Sequence, residues 1–171
     1  MDYGKSRTIE IFKNFVSYCS DTQFIAIAGK NKKMKLAFEE IANKYNKSNN
    51  IVVFSYTNRV PEFMSISDLV VTKPGGLTTT ESMASHLPMI IINPIPGQEE
   101  ENAEFLEKNG VAVWIQKNDN VKNLIENLFS DPEKLENMKE NTKKLAKINS
   151  TKNICDILLK QFEQIWKPYN L

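Results

Sequence analysis

The sequence lacks the motifs that mark several common classes of nucleotide-dependent enzyme. It has no G-x-G-x-x-G after a first strand, so a dinucleotide dehydrogenase is poorly supported. It also has no G-x-x-x-x-G-K-[ST] and no D-x-D that could hold a metal-bound diphosphate. One histidine and two cysteines provide neither a catalytic triad nor metal-ligand spacing. We therefore expect no metal site and no cofactor.

The sequence also has few features that are typical of proteins that bind nucleic acid or lipid. A formal net charge of +1 gives no case for a nucleic-acid or membrane surface. No apolar stretch approaches the ~20 residues of a membrane span, and no signal-peptide pattern opens the chain. We expect a cytoplasmic protein. Cys19 and Cys155 lie far apart in sequence, which predicts free and mostly buried thiols.

Short, continuous, β-branched apolar runs alternate with helical patterns. Unbroken runs of this length are typical of strands covered on both faces, as in a parallel sheet. The alternation predicts an α/β fold with a doubly wound, Rossmann-like parallel sheet in one domain spanning 1–171. The runs are FIAIAG (24–29), IVVFSY (51–56), DLVVTK (68–73), MIIINP (89–94) and VAVWIQ (111–116).

The two ends of the chain differ in pattern. A doubly wound sheet normally opens with a central strand, yet residues 1–4 lead almost directly into a helix, so the first strand is expected to be missing. After residue 117 only helices are predicted. Asp119 is the expected N-cap of the first, and Asp131 before Pro132 starts the second. The last is amphipathic and covers roughly 151–166.

A Pro-Gly-Gly turn follows the third predicted strand. Gly75 and Gly76 leave the backbone bare, and a helix begins near Leu77 or Thr78. A helix N-terminus offers unpaired amides and the positive end of the dipole, so it can bind phosphate, and Lys73 adds a nearby cation. The alternative is a tight turn in which Thr78 and Glu81 form a capping box.

A second turn at Pro96-Gly97 opens another helix, which Gly110 can terminate. The acids at 99–101 in its first turn interact favourably with the helix dipole, which is one explanation of their presence. Alternatively, Gln98 and Glu99 accept hydrogen bonds from the hydroxyls of a sugar.

Two further features are weaker. AGKNKK (28–33) follows a strand, where open α/β sheets bind ligands, although an ordinary solvated turn explains it too. The only histidine, His86, ends the helix that starts after Gly76, and it is expected to be a helix C-terminal residue rather than a base.

These residues carry a resemblance to a known family. SDLVVTKPGGLTTTESMASHLPMIIINPIPGQEEENAEFLEKNG resembles the carboxy-terminal half of glycosyltransferase family 28. Within it, the sequence is most similar to the bacterial processive diacylglycerol glucosyltransferases and the plant-type monogalactosyldiacylglycerol synthases. The PGQEEENA stretch (96–103) is the most specific element. GKNKK (29–33) and SYTNRVPEFMSISD (55–68) also match, so the resemblance runs from Gly4 onward.

The resemblance implies a GT-B fold and a UDP-hexose site. The backbone from Gly75 to Thr78, including Gly76 and Leu77, would bind the UDP diphosphate, and Glu81 would accept bonds from the ribose. Gln98 and Glu99 would hold the donor sugar with Asn102 nearby, and Thr57 would meet the uracil. Three residues, Gly29, Lys30 and Asn31, would line the nucleotide side of the cleft.

The implied reaction is inverting and metal-independent, and it moves a hexose from UDP-glucose or UDP-galactose to a lipid such as diacylglycerol. The family's base and acceptor surface belong to an amino-terminal domain that this sequence does not include. The leading interpretation is therefore a donor-binding domain of a hexosyltransferase that contacts a membrane only through the other domain, peripherally at its inner face. The alternative is a non-catalytic subunit or truncated fragment that needs a partner chain or self-associates. A UDP-sugar epimerase is a third reading, against which the PGQEEENA turn argues.

Overall fold

The computed structural model describes residues 3–19 and 21–166. Strands and helices alternate in this part of the chain, as the apolar runs predict. The strands are β1 (Phe24–Ile27), β2 (Ile51–Phe54), β3 (Val70–Thr72), β4 (Met89–Ile92) and β5 (Ala112–Ile115). The helices are α1 (Tyr3–Tyr18), α2 (Lys32–Lys44), α3 (Val60–Ser65), α4 (Gly76–Ala84), α5 (Gln98–Lys108), α6 (Val121–Phe129), α7 (Pro132–Leu145) and α8 (Ser150–Trp166).

The strands form two parallel sheets instead of one. In the described residues β1 pairs only with β2, while β3, β4 and β5 form a second sheet in that order. The registers place Phe24 opposite Ile51 and Val70 opposite Met89. A doubly wound sheet that lacks its central strand divides in this way. The α/β fold with parallel sheets and flanking helices is thus confirmed.

Helix α1 joins the two sheets on one face. Its Ile11 and Phe15 pack with Ile90 and Ile92 of β4, together with apolar residues of α6. Its Val16 packs with Ile51 of β2 and with residues of α2. Since α1 contributes to both clusters, burial of its apolar face stabilises the two sheets as one unit.

The opposite face of the larger sheet is covered by α4 and α5. Met89 and Ile91 of β4 pack there with Ala103 and Leu106 of α5 and with Val111. Strand β4 is therefore buried on both faces, and its sequence is the continuous apolar run Met-Ile-Ile-Ile. As predicted, the run is apolar throughout because both faces of the strand are covered.

Two predicted caps have different outcomes. Asp131 caps α7 by accepting a hydrogen bond from the Lys134 amide at 3.0 Å, as predicted. Asp119 does not cap α6, and that prediction is wrong. Asn120 is the cap and accepts from the Asn123 amide, whereas the Asp119 carboxylate accepts from the Gln116 amide at 2.7 Å.

The thiols differ in their surroundings. Cys19 is buried at the end of α1, as predicted, and burial raises the pKa of its thiol, with Lys47 partly opposing the shift. Lys47 also donates to the Val16 and Cys19 carbonyls at 2.6 and 2.7 Å, which satisfies the carboxyl end of α1. Cys155 lies exposed on α8, so the prediction of burial is wrong for this thiol. A residue on an amphipathic helix is buried only when another part of the chain packs against that face of the helix.

Candidate functional site

The carboxyl ends of all five strands lie at one edge of the molecule. The first half of α1 packs near the end of β1, since Ile9 and Phe12 contact the cluster of Ala26, Ala28 and Phe38. The same half lies beside the end of β4, where Asn93 Nδ2 donates to Thr8 Oγ1 at 3.0 Å. Helix α1 therefore runs antiparallel to both sheets. Open α/β sheets bind ligands at this edge.

The first candidate turn presents a helix end without a side-chain cap. Gly75 is the N-cap of α4, with φ −69° and ψ 141°, and no side chain bonds to the first-turn amides. The first bond within the helix runs from the Thr79 amide to the Gly75 carbonyl at 3.0 Å. The amides of Gly76, Leu77 and Thr78 precede that bond, so they are left for a ligand or solvent.

The capping-box alternative for this turn is wrong. Helix α4 begins at Gly76, so Thr78 lies inside its first turn and cannot be the N-cap. The threonine hydroxyls that follow bond backward, Thr79 and Thr80 donating to the Gly76 carbonyl at 3.1 and 2.8 Å. The Glu81 side chain is exposed one turn into the helix.

Space above this turn is open. A Cβ on Gly75 or Gly76 would meet no atom within 4 Å. The φ of Gly75 is one that any residue adopts, so conformation does not require a glycine there. Because the two glycines have no side chains, their backbone is accessible from the open space beside it. The exposed Lys73 is close by in the sequence.

The second turn needs its glycine for conformation. Gly97 has φ 97° and ψ −127°, a region almost closed to other residues, and it is the N-cap of α5 without a side-chain bond to the first turn. Glu99 folds back and accepts a hydrogen bond from the Ile95 amide at 2.7 Å. One carboxylate oxygen is thus engaged with the loop, while the Gln98 side chain is exposed.

A hydrogen bond connects the two turns. Asn102 Nδ2 donates to the Pro74 carbonyl at 2.9 Å, from the second turn of α5 to the residue before Gly75. The bond is partly buried, and it fixes the start of α5 relative to the start of α4. The predicted residues Gly75–Thr78 and Gln98–Asn102 therefore lie next to each other in the structure.

The remaining predicted residues follow the smaller sheet. Gly29 has φ 60°, and Lys30 is exposed. Asn31 is the N-cap of α2 and accepts from the Met34 amide at 3.1 Å, so its side-chain oxygen serves the helix. Thr57 Oγ1 accepts from the Arg59 amide at 3.1 Å. These residues share the carboxyl edge but follow strands that are not paired with β3.

His86 is a helix-terminating residue, as predicted. Its φ is 56°, and its amide donates to Met83 while the Leu87 amide donates to Ser82, at 3.0 and 2.9 Å. This pattern is a Schellman motif, whose left-handed position usually holds glycine. The Nδ1 atom is buried without a partner in the described residues. A base at this position would need access to the carboxyl edge, whereas His86 follows the far end of α4.

Among the described residues, no group of three or more His, Cys, Asp or Glu side chains is arranged to hold a metal ion. No helix in that part of the chain is both long and apolar enough to cross a bilayer. A surface depression of about 400 Å³ lies at the junction of α7 and α8. Its lining is residues 146–150 with Asn153 and Ile154, which include none of the predicted site residues.

Sequence reasoning missed Asn93, which positions the site, and did not foresee the contact that Asn102 makes. Asn93 follows β4 with φ 46° and, through its bond to Thr8, holds the start of α1 at the carboxyl edge. Asn102 was predicted to lie near a sugar, not to join the two turns. Asparagine tolerates positive φ, which was the available signal for Asn93. The partner of Asn102 is the backbone carbonyl of Pro74, and a backbone acceptor cannot be predicted from a side-chain pattern.

Comparison with known proteins identifies the family to which the chain belongs. The family model described as "Glycosyl transferases group 1" matches residues 3–145. The processive diacylglycerol β-glucosyltransferase of Bacillus licheniformis is 34% identical over 161 residues, which is 91% of this chain and 42% of that protein. The protein of the same name from Staphylococcus carnosus is 32% identical over 171 residues, 96% of this chain and 43% of that protein.

Solved structures are similar in fold. Acinetobacter baumannii MurG matches with a TM-score of 0.69 at 19% identity, covering 94% of this chain and 47% of that one. WaaG, a glycosyltransferase involved in lipopolysaccharide biosynthesis, matches with a TM-score of 0.63 at 20% identity, covering 92% and 44%. The chain thus spans less than half the length of these proteins. The resemblance to processive diacylglycerol glucosyltransferases is confirmed, and so is the GT-B fold.

Proposed function

Because the chain belongs to the Glycosyl transferases group 1 family, we propose that it is the nucleotide-sugar donor-binding domain of a glycosyltransferase. One observation carries the proposal. Two helix N-termini without side-chain caps, at Gly76 and Gln98, are fixed side by side at the carboxyl edge by the bond from Asn102 to Pro74.

The diphosphate binds at the first helix end. The amides of Gly76, Leu77 and Thr78 and the positive end of the α4 dipole attract two phosphates there, and Lys73 adds positive charge. The empty space above Gly75 and Gly76 lets oxygen atoms reach those amides. Glu81, exposed one turn later on α4, accepts hydrogen bonds from the ribose hydroxyls.

The sugar binds at the second helix end. Carboxylate and amide groups form hydrogen bonds with neutral hydroxyls. At the start of α5, Gln98 supplies an amide and Glu99 supplies a carboxylate. One carboxylate oxygen of Glu99 accepts a hydrogen bond from the Ile95 amide, and the other oxygen binds the ligand. The relatives are named glucosyltransferases, so the donor we propose is UDP-glucose, with UDP-galactose as the alternative.

The proposed reaction is inverting transfer to a lipid acceptor such as diacylglycerol, without a metal ion. Negative charge that develops on the departing UDP is stabilised by the α4 amides and dipole. None of the described residues is assigned as the base that takes the acceptor's proton. That role falls to the part of such a transferase that this chain does not include, since the chain spans only 42% of the B. licheniformis relative.

UDP binding tests the donor site. UDP at a hundred times its Kd stabilises a folded protein by about 2.7 kcal/mol, so we expect thermal unfolding to shift upward by several degrees. Glu81→Ala should remove most of the shift. Glu136→Ala, an exposed glutamate on α7, is the matched control and should keep it. A wild-type protein whose Tm is unmoved by millimolar UDP would contradict the proposal.

A further inference from the structure

Strand β2 is the outer strand of the smaller sheet. Phe24 of β1 packs against the apolar cluster that β4 and β5 form with α1, so β1 lies toward the larger sheet. Among the described residues, β2 pairs with β1 alone. One whole edge of β2 is therefore left without a strand partner at the side of the molecule.

The backbone groups on this edge are unpaired. The Ala28 amide donates to the Phe54 carbonyl at 2.9 Å, and with the parallel register this turns the even-numbered carbonyls of β2 toward β1. The amides and carbonyls of the odd-numbered residues therefore point away from β1. These residues are Ile51, Val53 and Ser55. In the part of the chain that the structure describes, none of their amides has a hydrogen-bond partner.

The edge strand of the larger sheet has the opposite arrangement. On the outward edge of β5, the Trp114 amide donates to Glu107 Oε1 at 3.1 Å. Just past the strand, the Gln116 amide donates to Asp119 Oδ2 at 2.7 Å. Two carboxylates thus occupy the donors that an added strand would need. Charged side chains of this kind close a sheet edge against association.

The sequence around β2 supplies no such carboxylate. Residues 48–58 include no charged residue and no proline, the residue types that commonly keep an exposed edge from pairing. Within the strand, Val52 is 52% exposed. The nearest charged residues on either side are engaged elsewhere, because Lys47 donates to two carbonyls of α1 and Arg59 pairs with Glu62 at 2.6 Å. The edge is therefore neutral, apolar and open.

The groups on this edge are complementary to themselves. When two copies of β2 run antiparallel with Val53 opposite Val53, each of the two residues donates one backbone bond and accepts another. The same register sets Ile51 opposite Ser55 of the second copy, so each outward amide meets an outward carbonyl. It also sets Val52 opposite Phe54 of the second copy, and such pairs of β-branched and aromatic side chains stabilise neighbouring strands. The two copies are then related by a two-fold axis, as in most homodimers.

We propose that a second copy of this chain pairs with the open edge of β2, antiparallel and in the register centred on Val53. The two smaller sheets then form one continuous sheet in the order β1-β2-β2-β1. A charge near the two-fold axis would face the same charge in the second copy, so the absence of charge from residues 48–58 favours this partner. The inference does not depend on UDP binding, because the pairing residues are not part of the proposed donor site.

Sedimentation of the full chain over a range of concentrations tests the proposal. The protein should pass from monomer to dimer between micromolar and millimolar concentration. Val52→Lys places a charge against Phe54 of the second copy and diagonally across from the same charge, so the dimer Kd should rise at least about tenfold. Leu158→Lys is the matched control. Leu158 lies on α8 and is 49% exposed, close to the exposure of Val52, and its substitution should leave the Kd unchanged.

Two results of this experiment would overturn the proposal. One is a protein that stays monomeric at millimolar concentration. The other is a dimer that Leu158→Lys weakens and Val52→Lys does not, because the copies would then meet through α8.

Hydrogen exchange of the unaltered protein locates the contact, so the question is decided even if Val52→Lys does not fold. As the concentration rises, the Val53 amide should exchange at least about tenfold more slowly. Two amides are references and should keep their rates: that of Trp114, bonded to Glu107 on the closed edge, and that of Ala28, bonded within one copy. If the Val53 amide exchanges equally fast in monomer and dimer, the copies meet elsewhere and the proposal is wrong.

Discussion

The amide of Asn102 donates to the carbonyl of Pro74 across 28 residues of sequence, and this bond aligns the first turns of α4 and α5. Replacing Asn102 with Ala leaves a partly buried carbonyl unpaired, which costs about 1–3 kcal/mol. We expect Asn102→Ala to weaken UDP-glucose binding as well, because the two helix ends lose their fixed relation. Titration calorimetry measures the affinity.

Asn109 is the matched control for this substitution. Its Nδ2 donates to the Phe105 carbonyl at 2.8 Å, also on α5 but at the carboxyl end of the helix. Asn109→Ala should lower stability without lowering affinity. If both variants bind UDP-glucose as the parent does, the bond serves stability alone.

Gly76 and Gly97 should respond to alanine in opposite ways. Gly76 lies in the first turn of α4 with open space around it, so Gly76→Ala should fold with stability equal to or up to about 1 kcal/mol above the parent. Its new methyl group projects into the proposed diphosphate space, so UDP affinity should fall at least about tenfold.

Gly97→Ala should instead unfold more easily, by about 1–3 kcal/mol, because φ 97° with ψ −127° strains any other residue. Thermal melts with and without UDP separate the two effects. A Gly76→Ala protein that binds UDP with unchanged affinity would count against backbone recognition of the diphosphate.

His86→Gly should raise stability. The left-handed φ of 56° costs a residue with a Cβ roughly 1–2 kcal/mol, and the substitution also removes a buried Nδ1 that has no partner in the described residues. We expect Tm to rise by about 2–4 °C for each kcal/mol gained. Asn46→Gly, at φ 52°, is the control and should gain less, because asparagine tolerates this region.

The two thiols should differ in reactivity toward a maleimide. Cys155 is exposed on α8, whereas Cys19 is buried and burial raises the pKa of its thiol. The thiolate is the reactive form, so at pH 8 a smaller fraction of Cys19 is reactive, and the reagent also reaches it poorly. Mass spectrometry of the native protein should find one label, at Cys155. Rapid double labelling without denaturant would show that the end of α1 opens readily.

Much of this fold follows from the sequence, because its signals are local. Four or five consecutive apolar residues predict a buried parallel strand, as Met89–Ile92 confirms. Asp131 before Pro132 marks a helix start correctly, since the N-cap and the fixed φ of proline both depend on neighbouring residues.

Other features depend on competition between neighbours. Asp119 and Asn120 are both good caps, and the sequence does not reveal that Asp119 is engaged by the Gln116 amide. Thr78 and Glu81 have capping-box spacing, yet Gly75 and Gly76 begin the helix earlier. The bond between Asn102 and Pro74 joins two elements through a backbone carbonyl, for which no side-chain pattern exists.

The described side chains of helix α8 contribute nothing to the buried core. Every described side chain from 150 to 164 is exposed, and the apolar clusters reach no further than Leu145. An unsupported helix of 17 residues is only marginally stable in water. Its helical circular dichroism should therefore fade gradually on heating, ahead of the cooperative transition of residues 3–145. Trypsin cleavage after Lys147 should shorten the protein while leaving the temperature of that transition unchanged. Heating would then report two stabilities in one chain, one belonging to a domain and one to an appendage.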